Sequence, residues 1–145
     1  GNTVVQVAQV DSTYLLSATN WVDVDVPPHA SALGKVFYAA GMIEPPDTFP
    51  RLTANTITDI DKFRRHLDKV RRQGFAVTGG ELEIGLDAVA TPVLNHTGDV
   101  VAALGVSGPS ERIGRQLPAL ERLLKSHARA LSHELGHQAR KEGAA

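Results

Sequence analysis

Cysteine is absent from the 145-residue chain, and aromatic residues are scarce, at 5 %. Without cysteine there can be no disulfide, no thiolate metal ligand and no cysteine nucleophile, and the redox state of the compartment stays undetermined. No apolar run approaches the roughly 20 residues that span a bilayer. No charged start followed by an apolar stretch indicates a signal peptide. We therefore expect a cytoplasmic protein without a membrane partner.

An excess of charge of either sign is also lacking. The 15 Lys and Arg residues nearly balance the 16 Asp and Glu residues, which leaves a formal net charge of −1. Because phosphate binding needs an excess of cationic side chains, this chain is not expected to hold nucleic acid by itself. Its hydrophobic and charged fractions, 42 % and 21 %, are near the globular average, and its length fits one domain.

The first half of the chain mixes predicted strands, loops and one helix. A Val-rich alternating pattern is typical of a strand, prolines indicate loops, and a glycine after an apolar run ends a helix. The predicted elements are a strand over 3–10, a short strand at Leu15 and Leu16, an extended loop over 18–28, a helix over 30–40 ended by Gly41, and an irregular segment over 42–55.

The second half contains the most regular patterns. Spacings of three and four residues predict a helix from Ile60 through Val70, capped by Thr58 and ended by Gly74. The remaining predictions are a strand from Phe75, a hairpin of strands 86–94 and 99–107, and a long C-terminal helix whose apolar stripe is Leu117, Leu120, Leu124, Leu131 and Leu135. Together they predict an α+β domain with an antiparallel sheet covered by helices.

The hairpin predicts one unusual sheet face. If Leu94 lies opposite Asp99, the facing pairs are Leu86 and Ser107, Ala88 and Gly105, and Ala90 and Ala103. These six side chains then share a small, almost uncharged face. Such a face either packs closely against a helix or leaves space for a ligand, and the pattern by itself does not choose between them.

The segment His133-Glu134-Leu135-Gly136-His137 matches the H-E-x-x-H pattern of zinc proteases. On a helix its two histidines would lie one turn apart on one face. They are, however, each two residues from the leucine stripe and should point to solvent. No His or Asp follows His137 to supply a third ligand. We therefore expect exposed histidines and no metal or catalytic site, and a zinc hydrolase is the alternative.

Two further features favour structural interpretations. Ser107 lies between Gly105 and Gly108, but the spacing does not fit the G-x-S-x-G nucleophile pattern. The cationic residues between Arg64 and Arg72 are interleaved with Asp61 and Asp68. They are interpreted as the solvated face of an amphipathic helix, with a nucleic-acid patch as the alternative.

Five ordered segments resemble the effector-binding domain of IclR-family bacterial transcription regulators, from the start of the chain to about residue 135. The segments are Pro28-His-Ala-Ser-Ala-Leu-Gly-Lys35, Thr56-Ile-Thr58, Val70-Arg-Arg-Gln-Gly-Phe-Ala-Val77, Glu81-Leu-Glu-Ile-Gly-Leu86 and Val101-Ala-Ala-Leu-Gly-Val-Ser-Gly-Pro109. The resemblance implies a GAF-like (profilin-like) fold, in which a curved antiparallel sheet is flanked by helices and a pocket lies between the sheet and its covering loops. It also implies a winged helix-turn-helix DNA-binding domain, which nothing in this chain matches. Residues 1–145 are therefore interpreted as one N-terminally truncated effector-binding domain.

Carried over by position, the family's effector pocket is expected on residues from four parts of the chain, and the only tryptophan is added because it lies on the adjacent loop. The expected residues are Leu15, Ala18, Trp21, Ala32, Leu33, Thr78, Leu86, Ala88, Gly105 and Ser107. This chain departs from the family where Thr78-Gly79 replaces two acidic residues and Ala88 replaces a frequent cysteine. A charged or metal-assisted contact at that end of the pocket is therefore not expected.

The resemblance implies a ligand-sensing domain, not an enzyme, which needs no cofactor. Its expected partners are a small organic effector, an acid or an aromatic metabolite, and further copies of itself in a homodimer or tetramer. DNA is expected to be bound only through the missing N-terminal domain. Besides the zinc hydrolase, the other alternative is an interaction or oligomerisation domain without a ligand.

Overall fold

The computed structural model of the chain describes residues 4–11, 22 and 25–138. Within them, three strands form an antiparallel sheet in the order β1-β2-β3: β1 (Ala76–Gly79), β2 (Leu86–Leu94) and β3 (Val100–Pro109). The helices are α1 (Ala32–Ala39), α2 (Ile60–Gln73) and α3 (Ser110–Glu134), and a 3-10 turn at Pro28–Ala30 precedes α1. This arrangement confirms the predicted α+β fold.

Helices cover both faces of the sheet. On one face, Ala76 and Ala90 pack against Ala32 and Val36 of α1 and against Val70 of α2. On the other face, Val89 packs with Phe75 and with two residues of α3, Ile113 and Leu124. Because side chains alternate along each strand, small residues line the α1 face and branched residues line the α3 face. This difference lets α1 approach the sheet closely.

The segment between α1 and α2 has no regular secondary structure, as its prolines predict, but it is not loosely attached. Ile43 and Phe49 are buried with Tyr38, Phe63 and Leu67. The Phe49 and Phe63 ring centroids are 4.6 Å apart, and Tyr38 meets Phe63 edge-on at 5.1 Å. These ring contacts fasten the segment to both helices.

The hairpin confirms the predicted face but not the predicted pairing. β2 spans Leu86–Leu94 as expected, whereas Ala88 lies opposite Ser107 and Ala90 lies opposite Gly105. The expected partners were wrong by two residues. An irregularity between Val93 and Leu94 shifts the register at the turn end of the hairpin. A shift of two preserves alternation, so the residues still share a face.

Two other local expectations were wrong. The described part of the first predicted strand, residues 4–10, is in neither strand nor helix, and Val7 and Val10 are 89 % and 99 % exposed. β propensity alone does not determine whether a segment joins a sheet. In α2, Asp59 is the cap instead of Thr58, because its Oδ1 accepts from the Lys62 amide at 2.8 Å. The Thr58 hydroxyl accepts from Arg51 instead.

The apolar stripe of α3 does not stay buried along its whole length. Leu124 is 4 % exposed, but Leu131 and Leu135 are 42 % and 50 % exposed. Near its end the helix turns Ala128 and Ser132 toward the sheet, where the Ser132 hydroxyl accepts from the Leu94 amide at 2.9 Å. None of the helices in the described residues has the length and apolarity needed to cross a bilayer.

Candidate functional site

Three of the expected pocket residues form one row across the sheet. Thr78 of β1 lies opposite Ala88 of β2, which in turn lies opposite Ser107 of β3. The adjacent row is Ala76, Ala90 and Gly105. Both rows lie on the face that α1 covers. The sheet therefore brings together residues that are up to 29 positions apart in the sequence.

Helix α1 packs on Ala76 and Ala90 of the second row, whereas Gly105 is exposed. Ala32 is 2 % exposed, and Leu33 packs against the same cluster. A Cβ atom added to Gly105 would lie 3.0 Å from the Leu33 Cδ2 atom and 3.0 Å from the Val89 carbonyl oxygen. Because the carbonyl belongs to the sheet backbone, it cannot move aside. The glycine is thus needed for the close approach of α1.

The first turn of α1 contains amides without an acceptor among the described residues. Ser31 caps the helix, and its hydroxyl accepts from the Gly34 amide at 3.3 Å. The Lys35 amide donates to the Ser31 carbonyl at 2.9 Å. No described residue accepts from the amides of Ala32 and Leu33, which is the usual situation at the start of a helix. These amides and the helix dipole favour an anionic or carbonyl oxygen.

The remaining expected residues are placed as follows. Leu86 lies opposite Pro109 at the end of the hairpin and is half-buried, and Thr78 is 4 % exposed. Leu15, Ala18 and Trp21 lie outside the described residues. The structure therefore shows how Thr78, Ala88 and Ser107 are assembled, and the full pocket stays a prediction.

A buried ion pair next to this site was not foreseen from the sequence. The Lys35 ammonium donates to both carboxylate oxygens of Glu81, at 2.6 and 2.7 Å. Lys35 is fully buried and Glu81 is 5 % exposed. Burial lowers the pKa of Lys35, and the Glu81 carboxylate opposes that shift. The detectable signal was one lysine inside the otherwise apolar sequence of α1.

The segment before α2 holds the Glu81 backbone in position. Thr56 donates from its hydroxyl to the Glu81 carbonyl at 2.8 Å, and Thr53 donates to the Gly80 carbonyl at 2.6 Å. These two bonds satisfy carbonyls in the loop that follows Thr78. The ion pair therefore joins α1 to a loop that is itself fixed at two backbone positions.

Two histidines lie near Lys35. His29 Nε2 is 2.9 Å from the Pro50 carbonyl, and the ring stacks on Phe49 at 4.9 Å. Burial, together with the charges of Lys35 and Lys69, lowers the pKa of His66 to about 4. The buried His66 Nε2 atom has no hydrogen-bond partner within the described part of the chain. Burial also lowers the pKa of His29, so both rings are neutral near pH 7.

The H-E-x-x-H segment does not form the helical arrangement that a zinc site needs. Helix α3 ends at Glu134, and Gly136 has a φ of 85°, so His137 lies beyond the helix. His133 is exposed as expected. The expectation that His137 is exposed was wrong, because the ring is half-buried with Nδ1 3.1 Å from the Asn95 carbonyl. No group of three or more potential metal ligands occurs in the described residues.

A groove of about 230 Å³ lies between α3 and the sheet, away from the row formed by Thr78, Ala88 and Ser107. It is smaller than most pockets for small organic ligands. The Lys125 ammonium at its edge already donates to the Gln73 carbonyl and to Glu121, at 2.8 and 2.9 Å. The Lys125 ammonium is therefore already bonded within the protein.

Comparison with known proteins agrees with the architecture. The family model described as "Bacterial transcriptional regulator IclR C-terminal" matches residues 1–133. The chain belongs to the IclR family. Its described fold corresponds to the C-terminal domain of these regulators.

Individual relatives lead to the same family. The HTH-type transcriptional regulator KdgR of Escherichia coli is 30 % identical over 94 % of this chain and 54 % of that protein. RHA06195, a candidate transcriptional regulator from Rhodococcus sp. RHA1, has a TM-score of 0.84 and is 28 % identical, covering 94 % of this chain and 58 % of that chain. A double mutant of the inducer-binding domain of Acinetobacter PobR, solved with 3-hydroxybenzoic acid, has a TM-score of 0.67 and is 31 % identical, covering 74 % of this chain and 66 % of that chain. The chain spans about half the length of the curated relatives it matches.

The Lys35→Met substitution tests the buried ion pair. It leaves the Glu81 carboxylate buried without a partner, so the free energy of unfolding should fall by about 3–5 kcal/mol in urea titrations. Arg115→Met, which breaks the exposed pair with Glu111, should cost less than about 1 kcal/mol. The double variant Lys35→Met/Glu81→Leu should regain much of the loss. If Lys35→Met and Arg115→Met lowered the free energy of unfolding by the same small amount, this account would be contradicted.

The neutral His66 ring predicts a pH dependence of stability. Between pH 6.5 and 4 the unfolded chain binds a proton that the folded His66 does not, so stability falls as the pH is lowered through this window. Allowing for partial exposure, we expect a loss of about 1–2 kcal/mol from pH 7 to 4.5. His66→Gln should flatten the pH profile of the melting temperature, while the exposed-site variant His127→Gln should not. An unchanged profile in His66→Gln would contradict the assignment.

Proposed function

We propose that this chain is the effector-sensing domain of a longer IclR-type regulator and binds a small organic acid or an aromatic metabolite. One observation carries the proposal. The row of Thr78, Ala88 and Ser107 lies on the sheet face covered by α1, whose first-turn amides at Ala32 and Leu33 have no acceptor among the described residues. Donors at a helix start beside a small, nearly uncharged sheet face suit a compact ligand with one acidic or carbonyl end.

The chemistry of the face narrows the ligand class. The hydroxyl groups of Thr78 and Ser107 can each add a hydrogen bond, and Leu86 and Ala88 offer apolar contact. The nearby ammonium of Lys35 is already bonded to both Glu81 oxygens and contributes no free charge. A ligand amine finds no carboxylate at Thr78, so cationic ligands should bind poorly. A double mutant of the related PobR domain was solved with 3-hydroxybenzoic acid, which supports an aromatic acid as the first ligand to try.

The proposed output is a change in DNA binding by a separate domain. The curated relatives are HTH-type regulators of about twice this length. Ligand binding in the sensing domain would bias the geometry of the attached DNA-binding domains through a coupling free energy of typically ~1–3 kcal/mol. Self-association into dimers or tetramers belongs to the same proposal, because paired domains can transmit such a change.

Thermal denaturation with a panel of carboxylic acids, starting with 3-hydroxybenzoate, tests the proposal. A ligand at about 100 times its dissociation constant should add about 2.7 kcal/mol to the unfolding free energy, seen as a higher melting temperature. Spermidine at the same concentration should give no shift. If no acid of the panel raises the melting temperature, the domain is better explained as an interaction module without a ligand.

Two matched pairs of variants localise the binding. Ser107→Leu should fill the space over the row and weaken binding at least about tenfold, whereas Ala102→Leu, exposed on the opposite face of β3, should not. Ala32→Pro removes one amide donor at a helix position that tolerates proline, and it should weaken an acid about tenfold. Ala32→Gly keeps the amide and should retain binding. Unchanged affinity in both Ser107→Leu and Ala32→Pro would place the ligand elsewhere.

A further inference from the structure

Helix α2 concentrates positive charge in a chain that has none in excess. Its 14 residues include six Lys or Arg and two Asp, a net charge of +4, whereas the whole chain has a net charge of −1. The rest of the chain is therefore net negative. This segregation produces a local positive field that the overall charge conceals.

The charges of α2 divide into two rows. In one row, Asp61 pairs with Arg64 at 4.0 Å and Asp68 pairs with Arg71 at 2.6 Å. The other row, which we call the cationic stripe, consists of Lys62, Arg65, Lys69 and Arg72, all of them exposed. No acidic residue in the described part of the chain lies within ion-pair distance of the stripe.

The stripe has the geometry of a contact surface. At 100° per residue its four side chains lie within an arc of about 80°, and at 1.5 Å per residue they extend over about 15 Å. The opposite face of α2 is fixed in the core through Phe63, Leu67 and Val70. The stripe is thus presented on a helix that does not need to fold when a partner binds.

We propose that the cationic stripe contacts the phosphate backbone of duplex DNA without reading its sequence. Duplex DNA carries one charge per roughly 1.7 Å of its axis, so several phosphates lie within reach of a 15 Å stripe. Backbone contacts of this kind require only cationic side chains. This contact would add to the DNA binding that the family resemblance assigns to a separate N-terminal domain.

Two other polyanionic partners fit the stripe less well. A protein interface is usually centred on buried apolar or aromatic anchors, and no large hydrophobic residue of α2 is exposed. The same lack of apolar side chains leaves nothing to insert into an anionic membrane. The HTH-type relatives are DNA-associated regulators, so duplex DNA is the polyanion near which such a domain works.

A weak contact is sufficient for this role. Non-specific DNA affinities at physiological salt are typically in the range of 10⁻⁴–10⁻⁶ M, and a chain that is net negative should lie at the weak end. When a second domain already holds the DNA, the effective local concentration can reach the millimolar range. The stripe would then strengthen and orient a complex that it could not form alone.

Fluorescence anisotropy of a labelled 20-base-pair duplex with the 145-residue chain tests this inference. Binding should be measurable at 20 mM KCl, should be equal for a scrambled duplex, and should weaken with salt with a log–log slope of about −3 to −4 for four phosphate contacts. The triple variant Arg65→Gln/Lys69→Gln/Arg72→Gln should reduce the slope by about 3. It should leave the response to carboxylic acids unchanged, which separates this result from the proposed effector site.

The control variant Arg115→Gln/Arg122→Gln/Arg129→Gln removes the same charge from α3 and should retain DNA binding. The proposal would be overturned if both triple variants lost DNA binding equally, or if the wild-type chain did not bind the duplex at 20 mM KCl. Displacement of the duplex by poly-glutamate at equal charge concentration, or tighter binding to anionic phosphatidylserine vesicles, would also overturn it. Displacement by poly-glutamate would assign the stripe to an acidic protein, and tighter binding to vesicles would assign it to a membrane.

Discussion

The candidate site depends on the buried ion pair between Lys35 and Glu81. A fully buried ammonium is costly unless its donors are satisfied, and here it donates to both oxygens of one carboxylate. The pair joins the first turns of α1 to the loop that follows Thr78, and Thr56 fixes the backbone of that loop. The position of helix α1 on the sheet therefore follows from an electrostatic requirement as well as from apolar packing.

The close packing of α1 on the sheet also requires small residues in the strands. Ala76 and Ala90 allow α1 to pack closely, and Gly105 allows Leu33 to pass within van der Waals distance of the strand backbone. The neighbouring row of Thr78, Ala88 and Ser107 continues the same face of the sheet. In a sensing domain, such a sheet face supplies contact surface and the start of the helix supplies hydrogen-bond donors. Both are already formed before a ligand binds.

Local sequence patterns predict only part of the fold and of the candidate site. Helix α2 and the hairpin follow from periodicity and turn residues, and the shared face follows from alternation, which a register shift of two preserves. The pairing itself was missed because the irregularity at Val93 and Leu94 has no clear signature in the sequence. Lys35 and Glu81 are 46 residues apart, so only the tertiary fold reveals their contact. Residues 4–10 show that a Val-rich alternating pattern alone does not determine a strand.

The central claim is that an organic acid binds between the α1 amides and the row of Thr78, Ala88 and Ser107. Amide chemical-shift mapping of the ¹⁵N-labelled chain during titration with an acid that stabilises it tests this claim most directly. The account predicts that the largest shifts are those of the Ala32, Leu33 and Ser107 amides. Shifts confined to the groove beside Lys125 and Ser132, with none at α1, would contradict it.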